Sequence, residues 1–270
     1  HAVVLELCCG TAGLSASFKR LGFDTIAVDK HVPKAPKASI TKLDLTQFST
    51  QQLVLEWIRM PQVKAVFIAP PCGTASKART IHLDDVENLP QPLRTVEQPD
   101  GVDNLEGLDF LRVSQSNVLY DFVSACYEEC CALDKLFLCE NPRDSLFWLV
   151  SPWAERQYQD LAVEQVHQAC AYGSLRPKWT KLSGNFSEIS EINQTCPGDH
   201  KHEPWGMQRI NGRKVFATAL EVHYPMQLCD AIANTVALAL SKRNIVPKPE
   251  LSMNQTARAF SDVQQGTTKI

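Results

Sequence analysis

Val66-Phe-Ile-Ala-Pro-Pro-Cys-Gly-Thr-Ala-Ser76 is an apolar run that climbs into a Pro-Pro pair and then delivers a cysteine, a threonine and a serine into a polar loop. Strands covered on both faces read as continuous apolar runs, which is the habit of parallel sheets in α/β proteins. Ligands of such sheets collect in the crevice beyond the carboxyl ends of the strands, where Cys72 would stand. The two prolines fix φ and restrict the residues before them, so a stiff backbone places the sulfur. Taken alone, Cys72 still reads as a packed thiol, because free cysteines are mostly buried hydrophobes. Its neighbours in the chain decide the matter.

Upstream, residues 2–7 read as a buried strand, Cys8-Cys-Gly-Thr-Ala-Gly13 as a small-residue turn, and Leu14 to Leu21 as a helix. Residues 24–29 and Ser39 to Leu43 form two more strands, the first ending in Asp29 and the second running into Asp44. A helix with Leu53, Trp57 and Ile58 on one side leads to the strand Val63 to Ala69. This β-α-β-α-β alternation predicts an α/β fold with a doubly wound, mostly parallel sheet and right-handed crossovers. Downstream come a long polar loop at about 73–112, a core-facing helix at 115–133, a strand from Lys135 to Cys139, and an aromatic stretch holding Leu146, Phe147, Trp148 and Trp153. Residues 161–172 and 178–184 predict a strand pair, 185–224 is irregular, and a last helix starts at Pro225 with Leu228, Ile232, Val236 and Leu240 on one face.

The 270 residues are 44% hydrophobic and 21% charged, which suits a globular protein, and no apolar run is long enough to span a membrane. The chain starts at His1 inside a strand-like run and is expected to be part of something longer. Ten cysteines without a C-x-x-C pair predict reduced thiols and an intracellular location, nuclear in a eukaryote. Matches to N-x-[ST] at Asn185, Asn193 and Asn254 carry no weight in that setting. The net charge of −3 does not advertise a nucleic-acid partner, yet charge is unevenly spread. Eight acids against Arg94 alone lie between Leu83 and Asp109, while Lys77, Arg79, Arg176, Lys178 and Lys181 belong to local basic groups.

Two constellations carry chemistry. The glycine turn, with acids at 29 and 44, suits an adenosine-type ligand: backbone approaches where side chains are missing, and carboxylates accept from ribose hydroxyls. Cys72 and Glu140 fall just past the ends of neighbouring strands and face one crevice. A thiolate beside a carboxylic acid suits covalent attack on an electron-poor ring, the acid serving the ring nitrogen that gains charge.

These residues resemble the C5-cytosine DNA methyltransferases. Leu5 to Ser15 is similar to the family's first motif, Asp29 and Asp44 to its second and third, Pro70 to Ser76 to its Pro-Cys motif, and Glu140-Asn-Pro142 to its Glu-Asn motif. Tyr172-Gly173 with Arg176, Lys178 and Thr180 is similar to its basic motif, and Ala233-Asn-Thr-Val236 to its closing motif. The resemblance implies a Rossmann-like fold using S-adenosylmethionine, held by Cys8, Gly10, Gly13, Asp29, Asp44, Pro71 and Asn234. It also implies Cys72 as nucleophile, Glu140 on the base edge, and Arg176 and Lys178 as candidate cations, leaving open which meets the base. The target cytosine must swing out of its duplex to be reached.

The partner expected is DNA or structured RNA, the chain a monomer, with no membrane. The catalytic domain is expected over 1–184 and 225–243, a short target-recognition region over 185–224, and a polar tail or linker over 244–270. A tRNA cytosine-C5 methyltransferase and a catalytically degenerate nucleic-acid-binding module are the alternatives. Amino-group methyltransferases also carry a Pro-Pro motif, but Ala69 and Cys72 stand where those need a polar group and an aromatic. Cys196, His200 and His202 supply three metal-type ligands where a structural zinc site wants four, so no metal is expected and the stretch reads as a polar loop.

Overall fold

A computed structural model describes residues 2–80, 90–154 and 162–247. The acids Asp84, Asp85 and Glu87, the sequon at Asn254 and most of the expected tail lie outside them. The strands are β1 (Val3–Leu7), β2 (Asp24–Asp29), β3 (Ile40–Lys42), β4 (Val63–Ile68), β5 (Leu136–Pro142), β6 (Val163–Gln168), β7 (Trp179–Gly184), β8 (Met207–Ile210) and β9 (Arg213–Phe216). The helices are α1 (Gly13–Arg20), α2 (Phe48–Arg59), α3 (Gly107–Ala132), α4 (Ser151–Ala154) and α5 (Met226–Lys242). Seven strands form one sheet in the order β3-β2-β1-β4-β5-β7-β6. Every pairing among β1 to β5 is parallel, and only β7 is reversed, antiparallel to both β5 and β6.

Side chains alternate between the faces of each strand, and the apolar ones therefore fill two layers. Leu5, Leu7, Val66, Ile68, Phe137 and Cys139 pack with Val54, Ile58, Tyr120 and Val123 of α2 and α3. Val4, Ala65, Phe67, Leu136 and Leu138 pack on the other face with Leu14, Phe18, Leu228, Ile232 and Val236 of α1 and α5. Both faces being covered is why the strands read as unbroken apolar runs. β1 pairs with β2 on one side and β4 on the other, so the strand order reverses between β1 and β4. The crevice therefore opens beside the glycine turn and the Pro-Cys loop.

Four expectations change. In α2 the core residues are Val54, Leu55 and Ile58, while Leu53 is exposed. α3 starts at Gly107, inside the stretch expected to be loop, because its first two turns have no core to face and leave Leu108, Phe110 and Leu111 exposed. Farther along the same helix Val118 is exposed and Leu119 buried. Within 185–224, β8 and β9 form a hairpin around Asn211-Gly212, both at positive φ (49° and 78°), the geometry of a two-residue primed turn.

Candidate active site

The glycine turn is wound tightly. Cys8, Gly10 and Ala12 take φ of 55°, 54° and 57°, and two of these three are not glycine. Left-handed residues with a Cβ are strained, and such strain gathers where backbone must meet a ligand. Asp29 ties the turn down: its Oδ2 accepts from Gly10 N at 2.9 Å and its Oδ1 from His31 N at 2.9 Å. Beneath the turn Glu6, fully buried, accepts from Ser15 N at 2.7 Å, and burial pushes its carboxyl up to about 7. Asp44 accepts from Thr46 and pairs with Lys30 at 2.9 Å. Burial works against these bonds, but Lys30 and Thr46 hold Asp44 below the usual carboxylate range.

Gly10 is glycine for its φ and not for space, since a Cβ there would stand 3.8 Å from the ring Nδ1 of His223, an ordinary contact. Gly13 serves helix packing: its Cβ would lie 3.1 Å from Cys229 Sγ on α5. Asn234, expected to close the cofactor cradle, is exposed two turns farther along α5. There it lines a hollow with Ser17, Arg20, Leu21, Asp230 and Ala233. The start of α5 reaches the glycine turn with Met226 and Cys229 instead, and His223, just before the helix, stands there too.

The Pro-Cys loop is pinned by its carbonyls. Pro70 O accepts from Asn141 Nδ2 at 2.9 Å, Pro71 O from the Tyr120 hydroxyl at 2.9 Å, and Cys72 O from Ala75 N at 2.9 Å. Arg94, the lone base of the acidic stretch, is buried. It donates to Thr74 Oγ1 and to Pro99 O, with its guanidinium 5.2 Å from the centre of the Tyr120 ring. Cys72 itself is half-buried. Burial raises its thiol, the Lys178 cation draws it down, and Glu140 pushes it up again.

Alternation along β5 sends Phe137, Cys139 and Asn141 to the α3 side and Leu136, Leu138 and Glu140 to the α5 side. Glu140 thereby meets Tyr224, whose hydroxyl donates to Oε2 and whose ring packs edge-on against Phe67 at 6.1 Å. Glu140 Oε1 lies 3.9 Å from Lys178 Nζ and has no hydrogen-bond partner among the described residues. The two cations lie in different places. Arg176, buried, pairs with Glu221 at 2.9 Å, donates to Pro204 O at 3.0 Å and fastens the 203–221 segment to the turn before β7. Lys178 is the cation beside Cys72 and Glu140.

Sequence reasoning missed Glu6, His223 and Tyr224. Glu6 breaks the apolar run of β1, which could have exposed it; the other two flank the start of α5 and carry no local signal.

The sheet order, the single reversed strand and a crevice built from the glycine turn and the Pro-Cys loop define a doubly wound, Rossmann-like α/β fold. The solved structures similar to it include a variant of Spodoptera frugiperda DNMT2, at 16% identity over 73% of this chain and 56% of that one, with a TM-score of 0.33. Others are a putative DNA modification methyltransferase of an Escherichia coli prophage (16% identity, 71% and 48% covered, TM-score 0.39) and the Entamoeba histolytica methyltransferase EhMeth (15%, 78% and 61%, TM-score 0.42). The chain spans between 48% and 61% of the length of these three. No protein-family model and no curated protein matches it.

Proposed function

We propose that this chain methylates C5 of cytosine in DNA through a covalent bond from Cys72 to C6. The observation that carries the reading is the placement of Cys72 and Glu140 at the ends of adjacent parallel strands, paired through Ile68 and Cys139, with one lysine acting on both. The strained turn at Cys8 to Gly13 and the Asp29 carboxylate fit an adenosine-type cofactor, and Asp44 and Pro71 are further candidates to hold it. S-adenosylmethionine, when bound there, supplies the methyl group.

Lys178 favours the thiolate of Cys72, the form that attacks. Bonding of Sγ to C6 sends the ring's electrons toward N3 and C5. Glu140, fixed by Tyr224 through Oε2, keeps Oε1 free for the base edge, and a proton carried there would pass to N3 as negative charge forms on it. C5 would then take the methyl that the cofactor supplies; its proton would pass to solvent water, the C5–H electrons would re-form the C5–C6 double bond, and the C6–sulfur bond would break to return the thiolate. Lys77 and Arg143, both exposed near Asp144, are the cations we assign to phosphate contacts.

The test is trapping on a duplex carrying 5-fluorocytosine, where C5 cannot lose its substituent and the cysteine stays attached. Wild type should form a covalent complex with labelled S-adenosylmethionine present, and Cys72→Ser should form none while still binding the cofactor. Trapping on a structured RNA but not on DNA would move the substrate to RNA. Cofactor binding without trapping on either would leave a nucleic-acid-binding module.

A further inference from the structure

The loop Cys196-Pro-Gly-Asp-His-Lys-His202 folds back against the single 3-10 turn Ala169–Tyr172 that follows β6. That turn presents Cys170, the fourth ligand the loop lacks in sequence. One ligand atom each from Cys170, Cys196, His200 and His202 lies within 4.8 Å of all the others. Cys196 Sγ is 3.4 Å from His202 Nε2 and 3.8 Å from His200 Nε2. Around a tetrahedral zinc, with bonds of about 2.3 Å to sulfur and about 2.0–2.1 Å to nitrogen, neighbouring ligand atoms stand about 3.3–3.8 Å apart.

We propose that Cys170, Cys196, His200 and His202 bind one structural Zn²⁺. Three further contacts fit a metal better than a chance meeting of thiols and imidazoles. His200 turns its other nitrogen, Nδ1, to Asp199 Oδ1 at 2.9 Å, the outer carboxylate that fixes the tautomer of a metal-bound histidine. Gly198, at a φ of 76° that favours glycine, donates its N–H to Cys196 Sγ at 3.4 Å, a bond that steadies a thiolate. Cys196 N donates to Gln168 Oε1 at 2.7 Å, so the loop is moored to the end of β6 before any metal binds. Two thiolates and two neutral imidazoles cancel the charge of Zn²⁺ and leave no open position, which is the pattern of a structural rather than a catalytic site. The expectation of a metal-free polar loop fell one ligand short because Cys170 lies outside the run.

The metal would brace the active site from behind. Ala169 N donates to Lys178 O at 2.9 Å, Glu203 N to Leu175 O at 3.0 Å, and Arg176 reaches Pro204 O. The knot thus joins both ends of the chain segment that carries Lys178 to the crevice. In a segment with so little core of its own, a metal supplies the cross-link.

The full chain, expressed in zinc-supplemented medium and purified without a histidine tag or chelator, should carry about one zinc per molecule by mass spectrometry of the metals. Cobalt exchanged for zinc should give the intense visible bands of a tetrahedral site and a near-ultraviolet thiolate-to-cobalt band. Cys131→Ser, an exposed thiol outside the cluster, should keep the zinc, and Cys196→Ser should lose at least about four-fifths of it. Should Cys196→Ser fail to fold, chelation of the wild type decides: the thermal midpoint should fall by several degrees and recover with Zn²⁺ but not Mg²⁺. Zinc far below one per chain with all ten thiols titratable would overturn the proposal, as would a Cys170–Cys196 disulfide in its place.

Discussion

Glu6 makes the sharpest test of the electrostatics beneath the glycine turn. Its carboxyl is 1% exposed, in β1, under the first turn of α1. Burial pushes it from 4.5 to about 7 against the hydrogen bonds of Ser15 and Leu14, with Asp29 adding to the rise. A carboxyl raised in the folded state holds its proton more tightly folded than unfolded. The stability this contributes is complete below 4.5 and is lost as pH rises through 7. At about 1.4 kcal/mol per tenfold change in proton affinity, the separation between 4.5 and about 7 is worth about 3 kcal/mol in all. Glu6→Gln keeps an acceptor for Ser15 N and removes the titration. Urea unfolding of both proteins across about pH 5 to pH 8 should show the Gln variant gaining on wild type by about 2.5 kcal/mol over that range. Asp44, Asp144 and Glu188, which are held below their usual range, shape the acid limb of both proteins alike and cancel in the difference. A difference that does not change with pH would refute the argument, since Glu6 would then be ionised throughout.

The other predictions concern the crevice and its support. Lys178→Gln removes the cation that draws the Cys72 thiol down, so the pH profile for alkylation of Cys72, followed by peptide mass spectrometry, should move to higher pH; an unmoved profile would take Lys178 out of the site. Tyr224→Phe strips the hydroxyl from Glu140 Oε2 and should cost about 1–3 kcal/mol in thermal unfolding, with the covalent trapping yield falling alongside. Gly184→Ala would place a Cβ 2.2 Å from Phe137 O and 2.7 Å from Ile189 Cδ1, a collision with backbone expected to cost about 3 kcal/mol. Gly73→Ala meets nothing within 4 Å and should stay within about 0.5 kcal/mol of wild type, which makes it the control for the same measurement.

The sheet was legible because its chemistry is local. Strands covered on both faces spell themselves as apolar runs; Cys72 follows β4, and Glu140, expected just past its strand, lies within the last residues of β5, so strand adjacency alone brings the two toward one crevice. What stayed hidden depends on segments distant in the chain. Nothing near Arg176 announces Glu221, and without that partner the two cations of the basic motif look equivalent. Tyr224 becomes a site residue only because α5 starts above β4 and β5. The first turns of α3 escaped because a helix with no face in the core has no reason to show periodicity. The Asn211-Gly212 hairpin was different: its turn signal stood in the sequence, in a stretch set aside as irregular.

The reversal of β7 links these features. In a sheet of parallel strands, a strand added in the same sense would begin at the amino edge, away from the crevice. Running antiparallel to β5, β7 begins where β5 ends, with Pro142 opposite Thr180, and Lys178 is delivered to Glu140 and Cys72. The same reversal makes β7 finish at the far edge, about 20 Å below for a six-residue strand. There Glu188 pairs with Lys242 near the end of α5. The chain must then climb back to the crevice rim before it can build anything over the site. Gln194 O accepting from Gln168 N, and Cys196 N donating to the Gln168 side chain, mark its return at the end of β6, and Cys170 stands two residues farther on. The cation at the crevice and the four-ligand knot behind it are therefore both set by the direction of one strand.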